Sequence, residues 1–560
     1  MTRSSQQLWH FHGGLKLDSH KSMSTTSPIV KAKLPAKLTI PVQQHIGEAG
    51  QLLVNVGDKV LKGQVIADCP EYISAPVHAP SSGCIIEISE LPAPHPSGLN
   101  TLCVVIETDG QDQWVTPNPT KYPNTKSPAE LRQLIRKAGI VGLGGAAFPT
   151  AVKVNPVQAD TGNKAHIETL IINGAECEPY ISCDDMLMRE FAEELISGCS
   201  IIQYMVAAAH CLIAIEDNKP AAIAAIETVI KAQALHTIEV VSIPTLYPTG
   251  GEKQLIKVLT HKEVPSDGFP SDIGLLVQNV GTAVAVHNAI VLGEPLISRI
   301  VTITGEGVNQ PQNMNVLIGT SMADLIEQSG GYHKDASKLI MGGPMMGFTL
   351  QTDNLPVVKG CNCLLVENTP VDTPATMPCI RCGACASVCP AQLLPQQLFW
   401  MASSKNFDLV QDYHLFDCIE CGCCSQVCPS QIPLVQYYRF AKTEIWNQER
   451  DKIKSDHARL RHDFRQARLD REKKERAEKL RKKKELLEKK KQAEAAAKTD
   501  SKDAEVDPKK AAIEAAMKRV QEKKAAQQAE SNNSTESSAA SSAANSATSS
   551  ATNSATSDEK

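Results

Sequence analysis

Residues 139–153 read GIVGLGGAAFPTAVK, and residues 171–179 read IINGAECEP. The first stretch places Gly139, Gly142, Gly144 and Gly145 just before a Pro149-Thr150 helix start. Glycines let a backbone approach a phosphate or a flavin ring, and a helix N-terminus favours the anion. The second ends an apolar run with Glu176 and Glu178, and Asp184 and Asp185 follow. Carboxylates at the C-terminal end of a strand lie where ligands bind in open α/β sheets, so their expected work is orienting hydroxyl or amide groups of a nucleotide. Neither stretch matches the Rossmann fingerprint, and the closest approach to a Walker A loop is Gly250-Gly251-Glu252-Lys253.

Working outward, ELRQLIRK before the glycine loop has amphipathic helical spacing, and HIETLIINGAE reads as a buried strand. SIIQYMVAAAHCLIAIED and KPAAIAAIETVIKAQALHTIEVVSIP then repeat helix and strand, which predicts a mostly parallel α/β sheet over residues 125–298. Residues 299–350 predict strand, helix and strand in a small β-grasp-like unit. On the N-terminal side a polar arm over residues 1–36 precedes short strands and turns over residues 37–110. That segment, NVGDKVLKGQVIADCPEYISAPVHAPSSGCI within it, resembles the lipoyl/biotinyl barrel-sandwich family. Asp68 to Val77, which match that family's hairpin tip, hold no lysine, so a structural or docking role is expected in place of covalent carriage.

Residues 360–440 hold most of the cysteines. Cys379, Cys382, Cys385 and Cys389-Pro390 follow C-x2-C-x2-C-x3-C-P, and Cys418, Cys421, Cys424 and Cys428-Pro429 repeat it. Zinc sites use paired C-x2-C units, not triplets closed by Cys-Pro, so two [4Fe–4S] clusters are expected. In two-cluster ferredoxins the fourth cysteine serves the other cubane. The expected sets are therefore Cys379, Cys382, Cys385 and Cys428, and Cys418, Cys421, Cys424 and Cys389. Between the motifs Leu394, Leu398, Met401, Leu409 and Val410 have helical spacing, predicting a helical dicluster domain. Spacing gives Cys361, Cys363 and Cys423 no cluster vertex, and small buried or surface thiols are the expected reading.

The 560 residues suit about three or four domains. Hydrophobic residues make up 42% and charged residues 21%, as in a globular body. Residues 1–440 carry 28 basic and 40 acidic side chains, whereas residues 441–500 carry 21 and 13. An acidic body lacks the electrostatic footprint of a nucleic-acid binder. The stretch 441–500 reads as a charged, solvated helix, with docking to a partner or membrane surface as the alternative. Residues 501–560, rich in Ala and Ser, read as disordered. The opening MTRSSQQLWHFHGG has no apolar core of a signal peptide, so the 18 cysteines are expected in a reducing cytoplasm as thiols or metal ligands. The apolar run Cys199 to Ile215, interrupted by Gln203 and His210, is short for a bilayer span.

GLGGAAFPTAVK followed by NGAECEP resembles the flavin- and NADH-binding subunit of respiratory complex I. Leu143 stands where that family has Arg, and Ala175 where it has Asp. The order of all segments, from FHGG to the second cysteine motif, resembles the C subunits of Rnf (Rsx) ion-translocating electron-transport complexes. This resemblance implies a multidomain α/β protein holding noncovalent FMN and two [4Fe–4S] clusters, with NADH as substrate. It implies FMN/NADH contacts at Gly142, Gly144, Gly145, Phe148, Lys153, Asn173, Glu176 and Glu178, with catalytic roles for the two glutamates. Gln278 to Thr282 and Gly250 to Lys253 are weaker candidates. It further implies a peripheral subunit on the cytoplasmic side of the cell inner membrane. Its partners would be membrane subunits, another iron–sulfur subunit and, indirectly, ferredoxin. The alternatives are a soluble NADH-diaphorase subunit of a hydrogenase or formate dehydrogenase, and a non-catalytic iron–sulfur wire or scaffold.

Overall fold

The computed structural model describes residues 7–68, 71–156, 165–368, 375–497, 512–513 and 515–523. Two compact units divide the chain, Met1–Arg450 and Asp451–Lys560. The centre of the first is a four-stranded parallel sheet, in the order Ile238–Ile243, His210–Glu216, Thr169–Gly174 and Leu275–Asn279. Its strands are almost wholly apolar because both faces are covered. Leu170 and Ile172 pack with Leu131, Ile135, Leu195 and Ile202 on one face, while Ile171 joins Leu255, Ile256 and Leu259 on the other. The chain builds outward from Thr169–Gly174 in one direction and then returns to add Leu275–Asn279 on its other side. That reversal opens a crevice at the C-terminal ends of these two strands, where such sheets bind ligands.

The helix leading to the glycine loop, Pro128–Lys137, starts with Pro128 and a reciprocal cap between Ser127 and Glu130. It ends at Gly139, whose φ of 65° suits glycine and where a Cβ would lie 2.4 Å from the Pro76 carbonyl oxygen.

The N-terminal barrel-sandwich is built from antiparallel pairs. One sheet runs Lys37–Pro41, Asn100–Thr108, Gly83–Pro92 and Lys59–Val60, and the other Gln51–Leu52, Val65–Asp68 and Val77–His78. Leu38, Ile40, Ile66, Ile85, Val104 and Ile106 fill the space between them. Cys69 and Pro70, in the stretch that lacks a carrier lysine, lie outside the described residues.

The β-grasp unit is larger than residues 299–350. Its six-stranded sheet takes Cys363–Glu367 between Ser298–Thr304 and Lys338–Met341, and gains an edge strand, Val30–Lys31, from the N-terminal arm. Cys361 and Cys363 are fully buried in and beside this sheet, not in the cysteine-rich segment that begins near residue 375. In that segment short helices, Ala384–Ser387, Pro395–Ser403, Phe407–Asp412 and Cys423–Gln426, pack on the start of a long one, Leu434–Ala497. Leu398, Val410, Tyr438 and Ile445 form the core. Leu394 and Leu409 fit the helical spacing but are 45% and 41% exposed.

Beyond Arg450 the long helix exposes Leu460, Phe464 and Leu480, as its sparse apolar positions imply. Within 501–560, where composition predicts disorder, residues 512–513 and 515–523 are helical, in keeping with the helix formers in AAIEAAMKRVQEK; the rest lies outside the described residues. No described helix is long and apolar enough to cross a membrane.

One side chain joins three of these parts. Lys359, 1% exposed, donates through Nζ to the Pro76 carbonyl at 3.0 Å and the Gly139 carbonyl at 2.7 Å. Its backbone N–H donates to Gln44 Oε1 at 3.0 Å. Burial pushes its ammonium down to about 7. Lys359→Met would leave two buried carbonyls without donors, a loss on the order of 2–4 kcal/mol. The expected result is an earlier urea midpoint for the Met1–Arg450 unit, read by circular dichroism.

Candidate functional site

Gly142, Gly144, Gly145, Phe148, Lys153, Asn173, Glu176 and Glu178 all line one cavity of about 620 Å³ at the sheet's crevice. This volume suits a nucleotide-sized ligand. Of the weaker candidates, Gln278, Asn279, Gly250, Gly251 and Glu252 also line it, whereas Lys253, Val280, Gly281 and Thr282 do not. Lys253 instead reaches Asp417 Oδ1 at 3.4 Å, and the Thr282 hydroxyl accepts from the Leu143 N–H at 2.9 Å.

The acidic turn is more committed than its sequence suggests. Glu176, at a φ of 47°, accepts from the Asp184 and Asp185 N–H groups at 2.7 and 3.3 Å, at the start of helix Cys183–Glu190. Glu178 Oε1 accepts from the Met345 and Met346 N–H groups at 2.8 and 2.7 Å, tying the turn to the β-grasp unit. Both carboxylates therefore organise backbone around the cavity, a use that a strand-end reading does not reveal. Asn173 likewise spans to Gly250, its Nδ2 donating to that carbonyl at 2.8 Å. Lys153 pairs with Glu252 at 3.1 Å.

Burial pushes Glu176 up to about 7, with Asp184 adding to the rise and Lys21, 3.8 Å away, opposing it. Burial also raises Glu178 and Asp184, and pushes the Cys177 thiol up to about 12. The two departures from the complex I pattern do not face the cavity. Leu143 and Ala175 are buried in the hydrophobic cores, and the Ala175 carbonyl accepts from Lys219 Nζ at 2.7 Å.

Two observations fit this cavity to a flavin nucleotide. Gln278 is buried in its wall with Nε2 lacking any partner, a donor awaiting a ligand acceptor. Gly145, at a φ of 124°, faces open space, so the glycine loop presents bare backbone to the cavity.

Two further cavities sort the cysteines. One is lined by Cys379, Cys382, Cys385 and Cys428, the other by Cys389, Cys418, Cys421 and Cys424 together with Cys423. In each, three thiols of one motif meet the last thiol of the other, a donor set suited to a cubane. Cys423 is a buried thiol, and its place in this wall follows from its position between two motif cysteines. Backbone around the second cavity is held by His12 Nδ1 at 3.0 Å from the Cys389 carbonyl and by Lys442 Nζ, which donates to the Cys418 carbonyl at 2.7 Å. The first cavity lies nearer solvent, with Cys382 exposed and the Arg381 guanidinium 5.1 Å from the Trp400 ring.

The large cavity meets the second sulfur cavity. Ile419 lines both, and Tyr247, in the wall of the large one, donates its hydroxyl to the Cys421 carbonyl at 2.6 Å.

Such an assembly defines a class: a flavin-nucleotide α/β domain joined through a β-grasp unit to a dicluster domain. Family comparisons divide the chain in the same way. The Nuo51 FMN-binding domain matches residues 135–288, the RnfC barrel sandwich hybrid domain residues 9–111, the SLBB domain residues 300–349, and the 4Fe-4S dicluster domain residues 378–432. A Pseudomonas aeruginosa protein, named as the C subunit of an ion-translocating oxidoreductase complex, is 48% identical over 470 residues, 83% of this chain and 60% of that protein. Its Yersinia enterocolitica namesake is 46% identical over 474 residues, 84% of this chain and 67% of the relative. The chain belongs to this family of C subunits, although it spans only about 60% of the length of the first of these relatives. Its cofactors are FMN and [4Fe–4S] clusters. Among solved structures, an NAD+-reducing [NiFe]-hydrogenase in its H2-reduced state aligns with 18% identity and a TM-score of 0.40, covering 59% of this chain and 63% of that one.

Glu176 holds its proton more tightly in the folded chain than its ordinary value of 4.5 allows. Its contribution to stability is then complete below that value and lost as pH rises through about 7. Glu176→Gln is expected to flatten the decline in melting temperature between about pH 5 and about pH 8, measured by scanning calorimetry against the parent.

Proposed function

We propose that this chain is the electron-input subunit of an ion-translocating oxidoreductase complex, passing electrons between NADH and two [4Fe–4S] clusters. FMN, when bound, takes two electrons as a hydride and gives them up singly, the conversion that one-electron cubanes require. Gly142, Gly144 and Gly145 would lie against the flavin nucleotide as bare backbone, with Phe148 beside them. Lys153, Asn173 and Gln278 would supply polar contacts. Glu176 and Glu178 hold the wall in shape and keep its charge under control by burial.

The observation that carries this reading is the shared wall at Ile419, with the Tyr247 hydroxyl on the Cys421 carbonyl. It favours the site of Cys418, Cys421, Cys424 and Cys389 as the first stop from the flavin. The site of Cys379, Cys382, Cys385 and Cys428 follows, and exposed Cys382 and Ile380 suit delivery to another iron–sulfur subunit. Ion movement then belongs to membrane subunits, which this chain meets peripherally on the cytoplasmic face of the inner membrane, with ferredoxin as the indirect partner.

Protein purified anaerobically is expected to hold about eight irons, given two cubanes, and one noncovalent flavin. Both chromophores should bleach on adding NADH; eight irons without an NADH response, even after FMN is restored, would reduce the chain to an electron wire. Cys389→Ala separates the cluster assignments. The expected loss is in the cluster of Cys418, Cys421 and Cys424, seen in paramagnetic resonance spectra of the reduced protein. Loss confined to the other cluster would reverse the assignment.

A further inference from the structure

The N-terminal arm runs from the α/β domain past the cysteine-rich segment to the acidic turn. Trp9 N–H donates to the Val258 carbonyl, Gly14 N–H to the Val388 carbonyl, and Leu15 exchanges backbone hydrogen bonds with Tyr247. Farther on, the Ser19 carbonyl accepts from Tyr180 N–H at 2.8 Å, and the His20 ring stacks on Tyr180 at 4.6 Å. These contacts seat Lys21 beneath the acidic turn with its side chain 10% exposed.

Lys21 Nζ donates to the Glu176 carbonyl at 2.7 Å, the Glu178 carbonyl at 2.9 Å and the Ile181 carbonyl. An ammonium has three N–H donors and no acceptor, so these three oxygens use its full capacity. The turn converges them on one point because Glu176 and Tyr180 adopt left-handed φ values of 47° and 68°. Three inward carbonyls beside a buried carboxylate repel one another unless a cation lies among them. The Glu176 carboxylate, 4% exposed and 3.8 Å from Nζ, completes the arrangement.

We infer that Lys21 is a positioning residue of the flavin cavity, a tethered ammonium that fills a three-carbonyl cage and so holds Glu176 and Glu178 in the cavity wall. It touches no ligand in this role. Its effect on flavin binding rests on the function proposed above, whereas the cage itself does not.

Two variants and one small cation test the cage. Lys21→Ala removes the stem and ammonium, leaving space for a free alkylammonium ion, while Lys21→Met keeps the stem and fills that space without charge. Both variants are expected to melt earlier than the parent. Millimolar propylammonium should restore the melting temperature of Lys21→Ala alone, and tetramethylammonium, which has no N–H donor, should restore neither. In parallel, FMN dissociation followed by flavin fluorescence should weaken at least about tenfold in both variants, with propylammonium recovering it only in Lys21→Ala. Melting that responds equally to both cations, or not at all, would overturn the cage. Selective rescue of melting with unchanged FMN affinity would overturn the positioning role. A parent protein that binds no FMN would instead remove the flavin reading and leave the melting test standing.

Discussion

The hydroxyl of Tyr247 is where the nucleotide-type cavity and the cluster domain become one site. The residue is 3% exposed, its backbone N–H and carbonyl are both taken by Leu15, and its O–H donates to the carbonyl of Cys421, a residue of the second sulfur cavity. A buried phenol is stable only if its hydroxyl finds a partner, so the side chain cannot be seated without bringing the Cys418–Cys424 loop against the cavity wall. Burial and the nearby carboxylate of Glu178 also push its ionisation upward, which keeps the phenol a donor. Leu15 extends the same junction to the N-terminal arm. Arm, α/β domain and dicluster segment are thus tied through one residue, and Ile419 packs into the seam they leave.

Local pattern made the chemistry legible wherever ligand spacing is set within one loop. Two C-x2-C-x2-C-x3-C-P motifs imply their crossed grouping because a short loop cannot close a cubane alone, and the cavities divide the same thiols in that way. Glycines before Pro149 and carboxylates after Ile172 likewise announce a cavity wall, the first as bare backbone ahead of a helix start and the second from strand-end geometry. The partners of those carboxylates were not legible. Glu178 is spent on the amides of Met345 and Met346, more than 160 residues away in sequence, and Glu176 answers to Lys21 at a similar distance. The β-grasp unit shows the same limit: Val30–Lys31 and Cys363–Glu367 complete it from either side of residues 299–350, and no local period marks which sheet a strand will join.

A common device underlies these long-range ties. Lys21, Lys219, Arg299 and Lys359 are all buried, and each donates to backbone carbonyls of loops around the α/β domain. Two of them also meet a carboxylate, Lys219 at 2.7 Å from Glu216, where both side chains are 1% exposed, and Lys21 at 3.8 Å from Glu176. Burying an ammonium costs several kcal/mol unless its donors are satisfied, so the carbonyls must be held in place for the chain to fold. That requirement makes each buried cation a geometric specification of its loop: Lys359 and Arg299 for the root and crest of the glycine loop, Lys21 for the acidic turn, and Lys219 for Ala175 beside it.

The choice of cations follows from what the site must hold. Residues 1–440 are acidic on balance, yet a flavin nucleotide carries phosphate and a cysteine-ligated cubane carries thiolate charge. A wall of unmatched carboxylates would repel both. Arg299, whose guanidinium donates to the neutral carbonyls of Leu143, Ile300 and Lys359, keeps its positive field beside the glycine loop, and in a low-dielectric interior that field acts over a longer range than at the surface. The raised affinity of Glu176, Glu178 and Asp184 for protons works in the same direction, lowering the negative charge that these residues bring to the cavity. Loop geometry and electrostatic balance are therefore set by the same few side chains, and the arm that carries Lys21 is as much a part of the site as the glycine loop.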